Sequence, residues 1–248
     1  MMFRKNPFTM TGTLEHTFLL NHAVSPEKLR PLIPRVFEPD LHKGHAFFSL
    51  VIVDLRRMRP AWLPAFMGFD YVHIGYRVPV WFESNGSRRR GVYFVRSDGS
   101  KRLFNFFGNV MTYFNFQPAR VRLDWREGEV AIDASCVPEE KCDVHVVLDT
   151  KNRHDALPAN SLFDSLEEAT TFFTELEQGF WFDQQRNEVN IVVIERPHWP
   201  IKPIQAKEYG AQFFQDGNAF DTTTAKPDVF YHVQGVPYVW RRREIVKL

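Results

Sequence analysis

One stretch constrains this chain more than any other: Asp70 to Phe82, DYVHIGYRVPVWF. Read alternately, Val72, Ile74, Tyr76, Val78, Val80 and Phe82 form one set, and Tyr71, His73, Gly75, Arg77, Pro79 and Trp81 form the other. Successive side chains of a strand point to opposite faces of the pleat, so the first set is a buried apolar face. The second set is a poor choice for a solvated face, because it carries two large rings, a glycine and a proline. The alternation therefore predicts a strand whose polar side lines an enclosed space.

The rest of the chain reads as further strands with few helices. Gly12 to Asn21 has one apolar side, and Ala46 to Leu55 (AFFSLVIVDL) is a continuous apolar run that fits a strand covered on both faces. Arg56 to Pro64 contains two prolines and reads as a loop or lid. The turn Ser84-Asn85-Gly86-Ser87 joins the opening strand to a hairpin partner over Gly91 to Arg96, followed by a turn at Ser97 to Ser100. Strands are expected over 119–125, 129–134, 143–148, 180–182, 189–194, 229–233 and 238–246. Ser25-Pro26-Glu27 opens a short helix, and Ser165 with Glu168 forms a capping box for a longer one. Phe104 to Phe116 fits a short buried helix or a strand, since Phe and Val favour strands while Phe107, Val110, Met111 and Phe114 keep the helical spacing that tips the reading to helix; Pro197 to Pro203 reads as an extended turn, and Lys207 to Gln215 as a short helix. Strands without regular strand–helix alternation predict an α+β fold built on a mostly antiparallel sheet or barrel, as one domain over residues 1–248.

Charge and composition narrow the function. A formal charge of +1 gives no general attraction to nucleic acid; the run Arg88-Arg89-Arg90 sits in a Ser/Asn/Gly turn, and Arg241-Arg242-Arg243 has no matching aromatic platform around it. No apolar run is long enough to span a bilayer, and MMFRKNPFTM has no apolar stretch after its basic pair, so a cytoplasmic protein without membrane contact is expected. Cys136 and Cys142 are expected to be free thiols. The 24 phenylalanines fit either a large core or an apolar-walled pocket.

No glycine-rich phosphate loop, dinucleotide fingerprint or serine nucleophile elbow is present, so no cofactor is expected. His42 and His45 lack a third ligand at useful spacing, which argues against a metal. His73 and Arg77 share a strand face about 13 Å apart. Such an arginine can clamp a carboxylate while the histidine exchanges a proton; alternatively both are surface residues, or Arg77 pairs with an acid such as Glu83. Lys101, beside Arg102, could carry a lowered pKa suited to imine formation, but its turn context reads as an exposed lysine.

The stretches NHAVSPEKLRPLIPRVFEPD, HAFFSLVIVDLRR, HIGYRVPVWFESNGSRRRGVYFVRSD and IERPHWPIKPI resemble the YqjF-like family of uncharacterised proteins in the acetoacetate decarboxylase-like superfamily. The resemblance runs from about Thr13 onward. It implies a cone-shaped, largely antiparallel β-barrel with a central pocket. The superfamily's decarboxylases form an imine through a lysine followed by a second lysine. Aligning the hairpins by GVYFVRSD puts that pair near Phe116-Gln117, neither of which is an amine, and one glutamate position falls close to His73.

The resulting expectation is a pocket for a small anionic or carbonyl-containing ligand, without acetoacetate decarboxylase activity. His73 is the candidate proton carrier. Tyr71, Arg77 and Trp81, with Arg96 from the partner strand and Asn109 and Tyr113 beyond it, are the candidate ligand-binding residues. A lysine-independent lyase, hydratase or isomerase on a keto or enol substrate is the alternative enzyme, a non-catalytic interaction protein the third reading, and homo-oligomerisation stays open.

Overall fold

The computed structural model describes residues 8–101, 105–106, 109, 116–136, 142–152, 155–196, 199–211 and 225–248. Among the described residues, thirteen strands belong to one sheet. The spine is β1 (Met10–Val24), which pairs antiparallel along its length with β3 (Ala46–Pro60) and β12 (Ala225–Trp240). Next to β3 lies β4 (Phe69–Ser84), which carries the stretch that opened the sequence reading and forms a hairpin with β5 (Ser87–Gly99). Asn85 and Gly86 hold φ at 50° and 72° in that turn, a geometry Asn-Gly adopts readily.

Two short pairings turn the sheet back on itself. β5 runs parallel to β9 (Gln178–Asp183) at Val92↔Gly179 and Tyr93↔Phe180, and β10 (Glu188–Glu195) meets β12 at Ile194↔Trp240 and Glu195↔Val239. The circuit β4–β5–β9–β10–β12–β1–β3 is thereby closed, giving a barrel-like curl. A side branch leaves β5 through β6 (Phe116–Arg126), β7 (Glu129–Cys136), β8 (Cys142–Asp149) and β11 (Lys202–Ala211), and rejoins β12. Short β2 (Phe37–Pro39) and β13 (Glu244–Lys247) form the two edges.

Both faces of the central strands are buried, which explains the unbroken apolar run of β3. One apolar cluster holds Phe18, Leu20, Leu50, Ile52, Ile74, Tyr76 and Val78 together with Ile132 and Val146 of the branch. The other holds Leu19, Val51, Val53, Tyr71, Trp181, Val192 and Trp240. Helix α1 (Pro26–Leu29) buries Leu29 in the first cluster, and α2 (Leu166–Thr174) buries Ala169 and Phe173 in the second. Ser165 Oγ accepts from the Glu168 amide at 3.1 Å, while the Glu168 carboxylate accepts from the Asp164 amide at 2.9 Å.

Several expected boundaries change because long-range pairing overrides local signals. β3 continues through Arg56 to Pro60, where a loop was expected, since Thr11↔Arg59 and Met10↔Pro60 keep it paired; a bulge with Arg57 at φ 53° accommodates this. β5 does not turn at Ser97 but runs on to Gly99 against β4. The helix expected at Lys207 to Gln215 is strand as far as Ala211, held by β8, and 212–215 lie outside the described residues. The expected turn over 197–203 gives its last two residues to β11, with 197–198 outside the described residues. The two expected C-terminal strands are β12, bent at Gly235 (φ 68°), and β13. Asn105, Phe106 and Asn109 are helical; the rest of 104–115, including Tyr113, and the side chains of Cys136 and Cys142 lie outside the described residues.

Candidate functional site

Inside the circuit, on the second cluster's side of β4, lies a cavity of about 50 Å³. Space for one water needs ~10–15 Å³ on the same measure, so there is room for a small organic molecule. Tyr71, His73, Gly75 and Arg77 supply the β4 wall at every second position. Val51, Val53 and Leu55 face it from β3, Leu14 and Thr17 from β1, Phe94 from β5 and Phe116 from β6. Ile194 of β10, Arg196 and Trp199 just beyond it, and Tyr238 and Trp240 of β12 complete the lining. No lysine and no carboxylate occurs among these residues.

The two guanidinium groups dominate the electrostatics. Arg77 is 9% exposed and makes no ion pair among the described residues; its Nε is buried without a hydrogen-bond partner. Burial, with the Arg196 cation nearby, pushes its pKa down to about 9, so it remains charged at neutral pH. Burial also lowers Arg196, although Tyr238 and Glu177 act the other way; it donates to the Leu176 carbonyl at 3.0 Å and lies 4.4 Å over the Trp199 ring. His73 is pushed down to about 3, first by burial and then by Arg77, and is a neutral imidazole at physiological pH. Tyr238 is raised to about 12 by burial although both arginines pull it down, and burial holds Tyr71 well above the usual phenol range. The lining thus holds two cations, a neutral imidazole and two neutral phenols.

The buried, unpartnered polar atoms of this lining include Thr17 Oγ1, His73 Nε2, Arg77 Nε and Trp199 Nε1. Each belongs to a group able to donate, so the interior suits an acceptor-rich guest. Gly75 keeps room for one: a Cβ there would stand 3.3 Å from the Phe94 ring and 3.7 Å from the His73 ring.

Of the residues singled out in the sequence, Tyr71, His73 and Arg77 meet in this cavity, and Trp81 and Arg96 do not line it. Trp81 donates its indole N–H to Asp40 at 2.7 Å, and the same carboxylate accepts from Arg90 at 2.6 Å, beside α2. Arg96 grips Asp98 with two hydrogen bonds of 2.8 Å and covers the Tyr76 ring on the opposite side of the sheet. The cause is a bulge: Tyr76 faces Arg96 but Arg77 faces Phe94, so Val95 is the extra residue and Phe94 takes the cavity side. Asn109 acts on the wall indirectly, bonding both the amide (2.6 Å) and the carbonyl (2.7 Å) of Phe116. Arg196, Trp199, Phe116 and Tyr238 were not anticipated as lining residues. Among the described residues no group of three His, Cys, Asp or Glu side chains could hold a metal. His42 instead stacks on Phe163 with ring centres 4.4 Å apart.

The fold is that of acetoacetate decarboxylase-like enzymes. The acetoacetate decarboxylase of Legionella pneumophila superposes with a TM-score of 0.65 at 13% identity, over 99% of this chain and 90% of its own. The enduracididine biosynthesis enzyme MppR, in complex with pyruvate, gives 0.61 at 12% identity over 98% and 91%. An acetoacetate decarboxylase-like enzyme of Sphingomonas wittichii RW1 gives 0.53 at 13% over 96% and 91%. By sequence the chain belongs to DUF2071, a family of uncharacterised conserved proteins, whose model matches residues 11–237. No curated protein matches it.

Proposed function

We propose that the cavity is a receptor for a small organic anion whose carboxylate or carbonyl group is held by Arg77, and that it works without an imine-forming lysine. Arg77 carries this reading. Burying an ionised group away from water is expensive unless a counter-charge and hydrogen bonds compensate, and no carboxylate of the lining does so. An anionic guest would. The unpartnered donors of Thr17, His73 and Trp199 favour the same class of guest. A neighbour in fold, MppR, has been crystallised with pyruvate, a ligand of this chemical kind. Phe116, which the family resemblance aligns with the lysine pair, lines the cavity as an apolar ring, so the electron sink of imine chemistry has no provider there.

Borohydride treatment in the presence of acetoacetate is expected to leave every lysine unlabelled, and Arg77→Gln to abolish calorimetric binding of small carboxylates. A labelled lysine, or unchanged binding by the variant, would overturn the proposal. The reading needs no cofactor and keeps the protein in the cytoplasm. It assigns the arginine runs no nucleic-acid role, since Arg88, Arg89, Arg90 and Arg241 face Glu38, Glu244, Asp40 and Glu195.

A lysine-independent lyase, hydratase or isomerase on a keto or enol substrate is the second reading, favoured by the position of His73 beside Arg77. Held down at about 3, this imidazole is too weakly basic for general-base work at neutral pH. An anion on Arg77 removes one of the two causes of that depression and brings it closer to a useful range. Under this reading His73→Gln keeps binding and loses turnover.

A further inference from the structure

We infer that the ligand is a small dicarboxylate, with one carboxylate on Arg77 and the other on Arg196. This rests on the anion-receptor reading and names its ligand class. In the closed circuit, β4 is three pairings from β10 in one direction and four in the other, so Arg77 on β4 and Arg196 just after β10 reach the same cavity from non-adjacent strands. Tyr238 of β12 interacts with both guanidinium groups. Its phenol is uncharged at neutral pH, so it neutralises neither.

The pair of guanidinium groups then points to the class. Both face a lining without a carboxylate; Arg196, half-buried, feels Glu177 from outside that lining, and Arg77 has no acidic neighbour among the described residues. A dianion offers a carboxylate to each guanidinium from within the cavity. Phe94, Phe116 and Ile194 present apolar wall to whatever lies in the cavity, which favours two anionic ends on a carbon skeleton over one compact oxyanion. A carboxylate offers about four acceptor sites, which suits the free donors of Thr17, His73 and Trp199 as well as the guanidinium forks. The cavity's size limits the skeleton to a few carbons.

The test is calorimetry on the full chain at pH 7.5 in a carboxylate-free buffer, comparing succinate with its monoamide, succinamate, and malonate with malonamate. Each pair shares a skeleton and differs by one charge. Acetate and inorganic phosphate complete the set. At least one dicarboxylate is expected to bind about tenfold or more tightly than its monoamide, ~1.4 kcal/mol. Arg196→Gln should collapse that ratio below about twofold, and Arg196→Lys should retain a preference for the dianion. Monoamides binding as tightly as the diacids would refute the dicarboxylate and leave the anion receptor standing. Phosphate binding more tightly than every diacid would refute it in favour of a compact oxyanion. If no anion binds, and none shifts the melting temperature, the receptor reading itself fails.

Discussion

Replacing Arg77 by methionine should make the ligand-free protein more stable while destroying its ability to bind an anion. Arg77 is 9% exposed and has no carboxylate partner among the described residues. Its pKa falls from 12.5 to about 9; at ~1.4 kcal/mol per tenfold, holding the charge in the fold costs roughly 5 kcal/mol. Methionine keeps a flexible unbranched stem of similar reach against Phe94 and removes the charge. Some of the gain is lost to imperfect packing, as in other replacements of buried ions by apolar side chains, which leaves about 2–4 kcal/mol in favour of the variant. For a chain of this size that corresponds to roughly 4–16 °C in melting temperature.

The assay is urea denaturation, with a thermal scan beside it, in a buffer without carboxylates or phosphate. Wild type and Arg77→Met are compared with and without a millimolar small carboxylate. Added anion should stabilise the wild type by RT ln(1 + c/Kd), with c the free anion concentration, rising logarithmically with that concentration, and leave the variant where it was. A variant less stable than wild type by more than about 1 kcal/mol in anion-free buffer would refute the reasoning. Such a result would mean that the fold itself compensates Arg77, so that the charge no longer calls for a ligand.

Other consequences follow from the same chemistry. In Arg77→Met, the His73 pKa should rise from about 3 yet stay below 6.5, because burial, the larger cause, remains; an NMR titration of the imidazole reads this directly, and an unmoved value would separate the two residues electrostatically. His73 at about 3, His22 at about 4 and His232 at about 4 all bind protons more weakly in the fold than when unfolded. Stability should therefore be fully present above pH 6.5 and decline as pH falls towards 4, and a urea midpoint equal at pH 7.5 and pH 5 would contradict this. Trp81→Phe should lose about 1–2 kcal/mol, leaving Asp40 to Arg90 alone, with anion affinity unchanged; weakened binding would return Trp81 to the site. Gly91→Ala should cost about 3 kcal/mol or more, since its Cβ would overlap the Gln178 carbonyl and stand 2.6 Å from the Phe180 ring where β5 meets β9.

The legible half of the site was the half written into one strand. Alternation from Tyr71 to Arg77 survives in the fold because β4 is paired on both sides there, to β3 and to β5, and the pleat cannot slip by a residue without exchanging the two buried faces. Alternation cannot say where a cavity ends. Trp81 has the same parity as Arg77, but by that point along β4 the face is covered by α2, Arg90 and Asp40. Nor does it announce a bulge: the extra residue at Val95 turns Arg96 to the far side of the sheet and brings in Phe94, with no glycine or proline to mark it. The other half depends on closure. Arg196, Trp199 and Tyr238 reach the cavity because β5 meets β9 and β10 meets β12, each through two residue pairs between distant segments of the chain. Such short contacts leave no periodic trace, and IERPHWPIKPI read locally is only an extended, proline-bounded segment. A single arginine on a strand face fits many ligands, and also fits a surface ion pair. The second arginine, which offers a second anchor for an anion, reaches the same cavity by topology alone, so the ligand class proposed above rests on the closed sheet and not on any motif along it.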